Sequence, residues 1–149
     1  MRTATPLRAR VVVLLGAALL LAACGGGGGG ASPTPSPSPT VDLSARPSSP
    51  AVLAITSPAP NQVVHGSTVH VAVSLQNATV VQATSTQITP TEGHVHLYLD
   101  NQLIYMAYQL QQDVPVHPGV YTLKAEFVAS DHFPFNPRVY SSAIVFTVQ

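Results

Sequence analysis

The residues whose types and spacing best suit chemistry are His94 and His96, in the run Gly93-His94-Val95-His96-Leu97-Tyr98-Leu99-Asp100. Residues two apart on a β-strand share a face, so both imidazoles can address one metal ion. Two ligands from one strand do not complete a site, because tetrahedral Zn²⁺ or tetragonal Cu²⁺ takes at least one more nitrogen, oxygen or sulfur donor. The other donors are His132, His117, His70, Glu92, Asp131 and Met106, and His132 is the favoured third ligand. It lies just beyond the strand expected over residues 120–129, in Ser130-Asp131-His132-Phe133-Pro134, where neighbouring strands bring its loop near the start of the strand that holds His94. Two other readings stand beside this one. The histidines occupy the solvated face of a strand, with Asp131 or Glu92 hydrogen-bonding an imidazole, or they serve a ligand contact or a pH response.

Other constellations are weaker. Tyr98, Tyr105, Tyr108, Phe133 and Phe135 would form an aromatic platform for sugar or peptide, but with no tryptophan in the chain core packing is the simpler expectation. The sequence has no Gly-Xaa-Ser-Xaa-Gly elbow, no glycine-rich phosphate loop after a strand and no His-Glu-Xaa-Xaa-His helix. His65-Gly66-Ser67 puts a hydroxyl beside an imidazole in sequence, yet neighbours on a turn rarely reach the geometry of a nucleophile and its base. The expectation is a protein that is not an enzyme.

The elements that must position these residues are strands. Val69, Val71, Val73 and Leu75 alternate with His70, Ala72 and Ser74, a period of two that places the first set on a buried face. Val95, Leu97 and Leu99 alternate with His94, His96 and Tyr98 in the same way. In Tyr121, Leu123, Ala125 and Phe127 against Thr122, Lys124 and Glu126, the second set reads as facing solvent. Ile144, Phe146 and Val148 line one face of a last strand, and Leu103 to Tyr108 is apolar on both faces, as suits a central or interface strand. Turn signals separate the runs at Ser57-Pro58-Ala59-Pro60-Asn61, His65-Gly66-Ser67, Asp100-Asn101, His117-Pro118-Gly119 and Phe135-Asn136-Pro137. The pattern predicts an all-β fold, an antiparallel β-sandwich of about seven strands over residues 51–149.

Ahead of that domain, Arg2, Arg8 and Arg10 lead into the apolar stretch Val11 to Leu21, which ends at Leu21-Ala22-Ala23-Cys24. The apolar run is shorter than the ~20 residues a membrane-spanning helix needs, and reads as a cleaved export signal over residues 1–23. The motif Leu21-Ala22-Ala23-Cys24 is similar to the lipobox of bacterial lipoproteins, which implies that Cys24 is the lipidation site and first residue of the mature chain. Cys24 is the only cysteine, so no disulfide forms within the monomer. Residues 24–50 read as a disordered linker: the six glycines Gly25 to Gly30 form a flexible coil, and the alternating prolines that follow favour extended polyproline II. Attachment is then to the membrane through the lipid, on the extracytoplasmic face of the cell membrane.

Loss of the signal removes three of the six basic residues, leaving Arg46, Lys124 and Arg138 against Asp42, Glu92, Asp100, Asp113, Glu126 and Asp131. No basic stripe remains to neutralise phosphates, so nucleic acid is not an expected partner. Ile55-Thr56-Ser57-Pro58-Ala59-Pro60-Asn61 through Val69, and the Pro-Gly strand from Val116 to Val128, resemble bacterial immunoglobulin-like domains. The resemblance implies the sandwich fold and leaves open whether the domain binds or spaces. The Gly-His-Xaa-His strand with the later Asp131-His132-Phe133-Pro134 loop also resembles small exported bacterial domains of uncharacterised role. Where related forms often carry a histidine after the Pro-Gly turn, this chain has Tyr121. Some periplasmic copper-resistance proteins are similar sandwiches with histidine ligands, which implies copper as a metal for His94, His96 and His132, beside the zinc that the donor types also suit. The functional expectation is a lipid-anchored, non-catalytic binding or spacing module without a cofactor. Its alternatives are a histidine-based metal-binding protein and an accessory domain with a cell-envelope protein partner.

Overall fold

A computed structural model describes residues 41–149. The expected signal over 1–23, the lipidation site Cys24 and the linker through residue 40 lie outside the described residues. No helix among the described residues is long and apolar enough to cross a membrane.

The two-residue periodicity becomes strands where the sequence predicts them. Thr68–Gln76 is β3, and its Val69, Val71 and Val73 are buried. Glu92–Leu99 is β5, Gly119–Ala129 is β8 and Ile144–Val148 is β10. Leu123, Ala125 and Phe127 of β8 and Ile144, Phe146 and Val148 of β10 all lie in the core. The described residues also form β1 (Val52–Ser57), β2 (Val63–Val64), β4 (Thr79–Val80), β6 (Gln102–Ala107), β7 (Gln111–Pro115) and β9 (Pro134–Tyr140). Asp100 and Asn101 both take positive φ, 49° and 66°, the paired left-handed residues of a tight hairpin between β5 and β6.

The strands make two sheets. One is three-stranded in the order β1-β3-β7, and the other is seven-stranded along β2-β10-β8-β5-β4, with β6 on β5 and β9 on β8. Side chains of both sheets share one core, from Leu53, Val69 and Val71 on the first to Val95, Leu97, Phe127 and Phe146 on the second. The architecture is a β-sandwich. It differs in detail from the expectation of about seven antiparallel strands: ten are present among the described residues, and the short pairings β2–β10 and β4–β5 are parallel. Nor is it divided four strands against three, as a constant-type immunoglobulin domain is.

Strand β8 organises the larger sheet. Along one edge it pairs with β5 from Gly93↔Ala129 to Leu99↔Leu123. Its other edge is shared, β10 taking residues 119–123 and β9 taking 126–128. At the gap between those partners Ser141 serves the backbone of Ala125, its Oγ accepting from Ala125 N at 3.0 Å and its N–H donating to Ala125 O at 2.9 Å.

Two parts of the chain depart from the sequence reading. Glu126, expected to face solvent, is completely buried. Ordered contacts also begin before Ala51: Leu43–Ala45 is a short 3-10 turn, and Arg46 holds Asp131 with two 2.7 Å hydrogen bonds. Asn136 N donates to Pro47 O at 3.0 Å, so this segment lies along β9.

Gly93 marks the closest approach of β5 to β8. A Cβ there would overlap the carbonyl oxygen of Val128 and meet Phe127 Cζ at 3.1 Å. Gly93→Ala therefore has to push the two central strands apart, and we expect a loss of about 2–3 kcal/mol or more in denaturant unfolding. Gly119→Ala is the control, since its methyl would meet the Tyr121 ring at an ordinary 3.5 Å. Its unfolding midpoint should barely move.

Candidate functional site

Alternation along β5 sends Val95 and Leu97 into the core and His94 and His96 to the opposite face of the sheet. At these two positions that face is covered. His94 is 0% and His96 5% exposed, which corrects the expectation of histidines on an open face. The cover comes from the segment between β4 and β5 and from the turn between β8 and β9. Ser85 N donates to Ser130 O at 3.0 Å, and Ser130 Oγ lies 3.2 Å from Ser85 O. Gln82 Nε2 donates to Tyr108 O at 2.9 Å, and Val81 N donates to Gly93 O at 3.0 Å.

The β8–β9 turn delivers His132. His132 N donates to Ala129 O at 2.9 Å and Ala129 N to Phe133 O at 3.0 Å, closing a tight loop in which His132 has φ +66°. Because Ala129 pairs with Gly93 and Val128 with His94, this loop leaves β8 directly beside the start of β5. The result is a cluster of the three predicted histidines. The His132 ring stacks on His94 with centroids 4.2 Å apart at 20°, and lies 5.6 Å from His96 at 17°. His96 Nε2 and His132 Nδ1 are 3.3 Å apart, and His132 Nε2 is 3.0 Å from Thr84 Oγ1 and 3.5 Å from the Tyr108 hydroxyl. A single proton shared along His96, His132 and Thr84 satisfies these contacts with either ring as donor.

His94 is different. Both of its ring nitrogens are buried and neither has a partner at full hydrogen-bond distance and angle, the only buried side-chain nitrogens or oxygens so placed among the described residues, with the backbone of Ala83 and Val81 close enough to favour its protonated form. Tyr108 packs edge-on against it, 4.8 Å between centroids at 76°. Burial, then the His132 charge, lowers the His94 pKa, against weaker upward pulls from the backbone of Ala83 and Val81 and from Asp131. For His96, burial first and then His132, His94 and Arg138 push the pKa down to about 4. His94 and His96 are therefore neutral near pH 7.

Apart from Met106, the remaining candidate donors lie elsewhere or are engaged. Asp131 is clamped by Arg46; burial pushes its carboxyl up, but the Arg46 hydrogen bonds and charge and the Phe133 N–H more than offset this, and its pKa falls. His70 pairs with Asp113 at 2.8 Å on the exposed side of the smaller sheet. His117 sits before β8, where its carbonyl accepts from Tyr121 Oη at 3.0 Å. Glu92 accepts from Thr89 Oγ1 at 3.1 Å. Met106 lies opposite His96 across the β5–β6 pairing. The aromatic platform does not assemble: Phe135 is core, stacked on Phe127 at 5.5 Å; Tyr105 packs against the core; Phe133 is exposed near Arg46, 5.9 Å from guanidinium carbon to ring centroid.

Next to the cluster, Glu126 faces His96 from β8. Its carboxylate accepts from Tyr98 Oη at 2.8 Å and from Arg138 Nε at 2.7 Å and Nη2 at 3.2 Å. Burial, followed by the hydrogen bond to Glu126, pushes the Tyr98 phenol up to about 12. Every charge in this group is matched. Sequence alternation gave no sign of Thr84 or of this triad, because neither the covering segment nor β9 announces which face it closes.

Among the described residues no set of three or more His, Cys, Asp or Glu side chains surrounds a single point in a metal-ready arrangement. The stacking explains this, since parallel rings do not direct their nitrogens to one centre. No family model, no curated protein and no solved structure matches the chain.

The depressed histidine pKa values set a pH dependence for the metal-free protein. The unfolded chain takes up protons near the ordinary histidine value of 6.5, whereas folded His96 does so only near pH 4. The unfolded state then binds more protons between those values, so stability is fully present above pH 6.5 and is lost as pH falls toward 4. The loss expected from His96 is on the order of 2–3 kcal/mol. Denaturant unfolding across this window should show the slope, and His96→Gln should flatten it.

Proposed function

We propose that this protein is a lipid-anchored, extracytoplasmic, non-catalytic metal-binding module in which His94, His96 and His132 bind one transition-metal ion of the copper or zinc type. The observation that carries this reading is His94, completely buried with both ring nitrogens unpartnered beside two further imidazoles. An imidazole buried without hydrogen bonds costs about 1–3 kcal/mol, and a nitrogen lone pair given to a metal removes that cost. Neutral imidazole is the form that ligates, and burial favours it for His94 and His96.

Distances support the same reading. Two nitrogens on a tetrahedral ion at 2.0–2.1 Å are about 3.3–3.4 Å apart, and His96 Nε2 and His132 Nδ1 are separated by 3.3 Å. Neutral His96 and His132 can each present one nitrogen lone pair to an ion while keeping their proton on the other ring nitrogen. The membrane attachment rests on the Leu21-Ala22-Ala23-Cys24 motif, with the Gly- and Pro-rich linker as the tether that presents the domain.

Titration calorimetry of the full chain with Zn²⁺ and with Cu²⁺ tests the proposal. The expected result is one ion per chain with submicromolar affinity and stabilisation of about 2.7 kcal/mol at a free ion concentration 100 times Kd. His94→Gln and His96→Gln should each abolish this binding, and His117→Gln should leave it intact. Absence of binding, or binding indifferent to His94 and His96, overturns the proposal in favour of a spacing or partner-binding module.

A further inference from the structure

Resting on the metal reading above, we propose that Met106 supplies a thioether to the same ion, making the site selective for copper(I) over zinc. The β5–β6 register sets Met106 directly across from His96. Directly opposed residues of an antiparallel pair share a face, with Cβ atoms about 4.5–5.5 Å apart. Met106 therefore stands on the outer face with the histidines, opposite in direction to its neighbours Tyr105 and Ala107. It is 53% exposed, a flexible thioether left unpacked beside a buried imidazole.

The surroundings remove the alternatives. Asp131 is held by Arg46 through both carboxylate oxygens, and Glu126 is held by Arg138 and Tyr98. No carboxylate is then left at the cluster for a hard cation, and the donors are three imidazole nitrogens and one sulfur. Thioether sulfur is a soft donor that suits copper(I) and is absent from zinc's usual ligands, which are thiolate, imidazole and carboxylate, while imidazole accepts copper and zinc alike.

Charge acts in the same direction. Three neutral imidazoles and a thioether add no negative charge, and both neighbouring arginines are already paired. The cost of taking an ion out of water rises with the square of its charge, so a monovalent ion in this neutral, covered site pays about one quarter of the Born penalty of a divalent one.

The test measures two affinities on the full chain. Copper(I), kept reduced with ascorbate, is competed against bicinchoninate, and Zn²⁺ against a chromogenic zinc chelator. Met106→Leu should weaken copper(I) tenfold or more and change the Zn²⁺ affinity less than twofold, with an unchanged melting temperature. Copper K-edge absorption should show a sulfur scatterer in the native protein that the variant lacks. Unchanged copper(I) affinity in Met106→Leu, with His94→Gln still removing both metals, overturns the role of Met106 and keeps the histidine site. Equal losses of both metals in Met106→Leu overturn the selectivity, since Met106 then acts through packing. If the native chain binds neither metal, the histidine site falls with it.

Discussion

The pairing of β5 with β8 is the constraint on which the rest of the structure depends. Its unbroken register, from Gly93↔Ala129 to Leu99↔Leu123, gives the sandwich its central wall, with Val95, Leu97, Leu123, Ala125 and Phe127 on the inner side. The same register decides what stands on the outer side, because each residue between the core positions must point away from them. His94, His96 and Glu126 are there as a direct consequence. The turn that ends β8 then lies over the beginning of β5, and His132 arrives against His94 without any element of its own. A slip of one residue would exchange the two faces, bringing histidines and a glutamate into the apolar core and valines to the surface.

The inner side of this wall was legible in the sequence. Apolar residues at every second position of β3, β8 and β10 identify the core face, and Asp100-Asn101 and His65-Gly66-Ser67 mark turns that the chain makes. The sharing of a face by His94 and His96, and the approach of His132, follow from the same period with one further step about strand neighbours. The outer side was not legible. Alternation separates two faces but does not say whether either is covered, and the cover here comes from residues 81–91 and the β8–β9 turn, which have no periodicity. Glu126 reads as exposed for this reason, and its partner Arg138 belongs to a strand containing two prolines, Pro134 and Pro137. Arg46 was hidden differently. It lies in a Ser- and Pro-rich stretch with the composition of a linker, and only the carboxylate of Asp131, far along the chain, shows why it is ordered.

Scarcity of charge makes the electrostatics of the outer face unusually simple. The buried or half-buried charges nearest the cluster come in matched pairs, Arg46 with Asp131 and Arg138 with Glu126. Each pair also fixes a piece of structure that the cluster needs: Arg46 locks the turn carrying His132, and Arg138 ties β9 to β8 beside His96. Removing Arg138 would leave Glu126 buried without its counter-charge, and breaking the Arg46–Asp131 pair would strand a largely buried charge, the costly way to break such a contact. Because the pairs cancel, little net field reaches the imidazoles, and burial and their mutual proximity dominate their protonation.

Two local costs coincide at this one place. Among the described residues, those with positive φ other than His132 and Gly66 are Asn61, Asn77, Asp100 and Asn101, whose short polar side chains suit tight turns. His132 holds a left-handed backbone with a bulky ring, and holds it over the buried His94 that makes no hydrogen bond. Among the described residues the other buried polar side chains, His96, Glu126, Ser130 and Ser141, each have a partner. A sequence that settles its polar groups this completely elsewhere has no packing reason to keep an imidazole at position 94, where an apolar side chain of similar volume would fill the same space without the desolvation cost. Departures from local consistency gather where a protein works rather than where it merely folds. That both departures fall on the stacked pair His94 and His132, and nowhere else in the cover, is the strongest physical support for reading the cluster as a site.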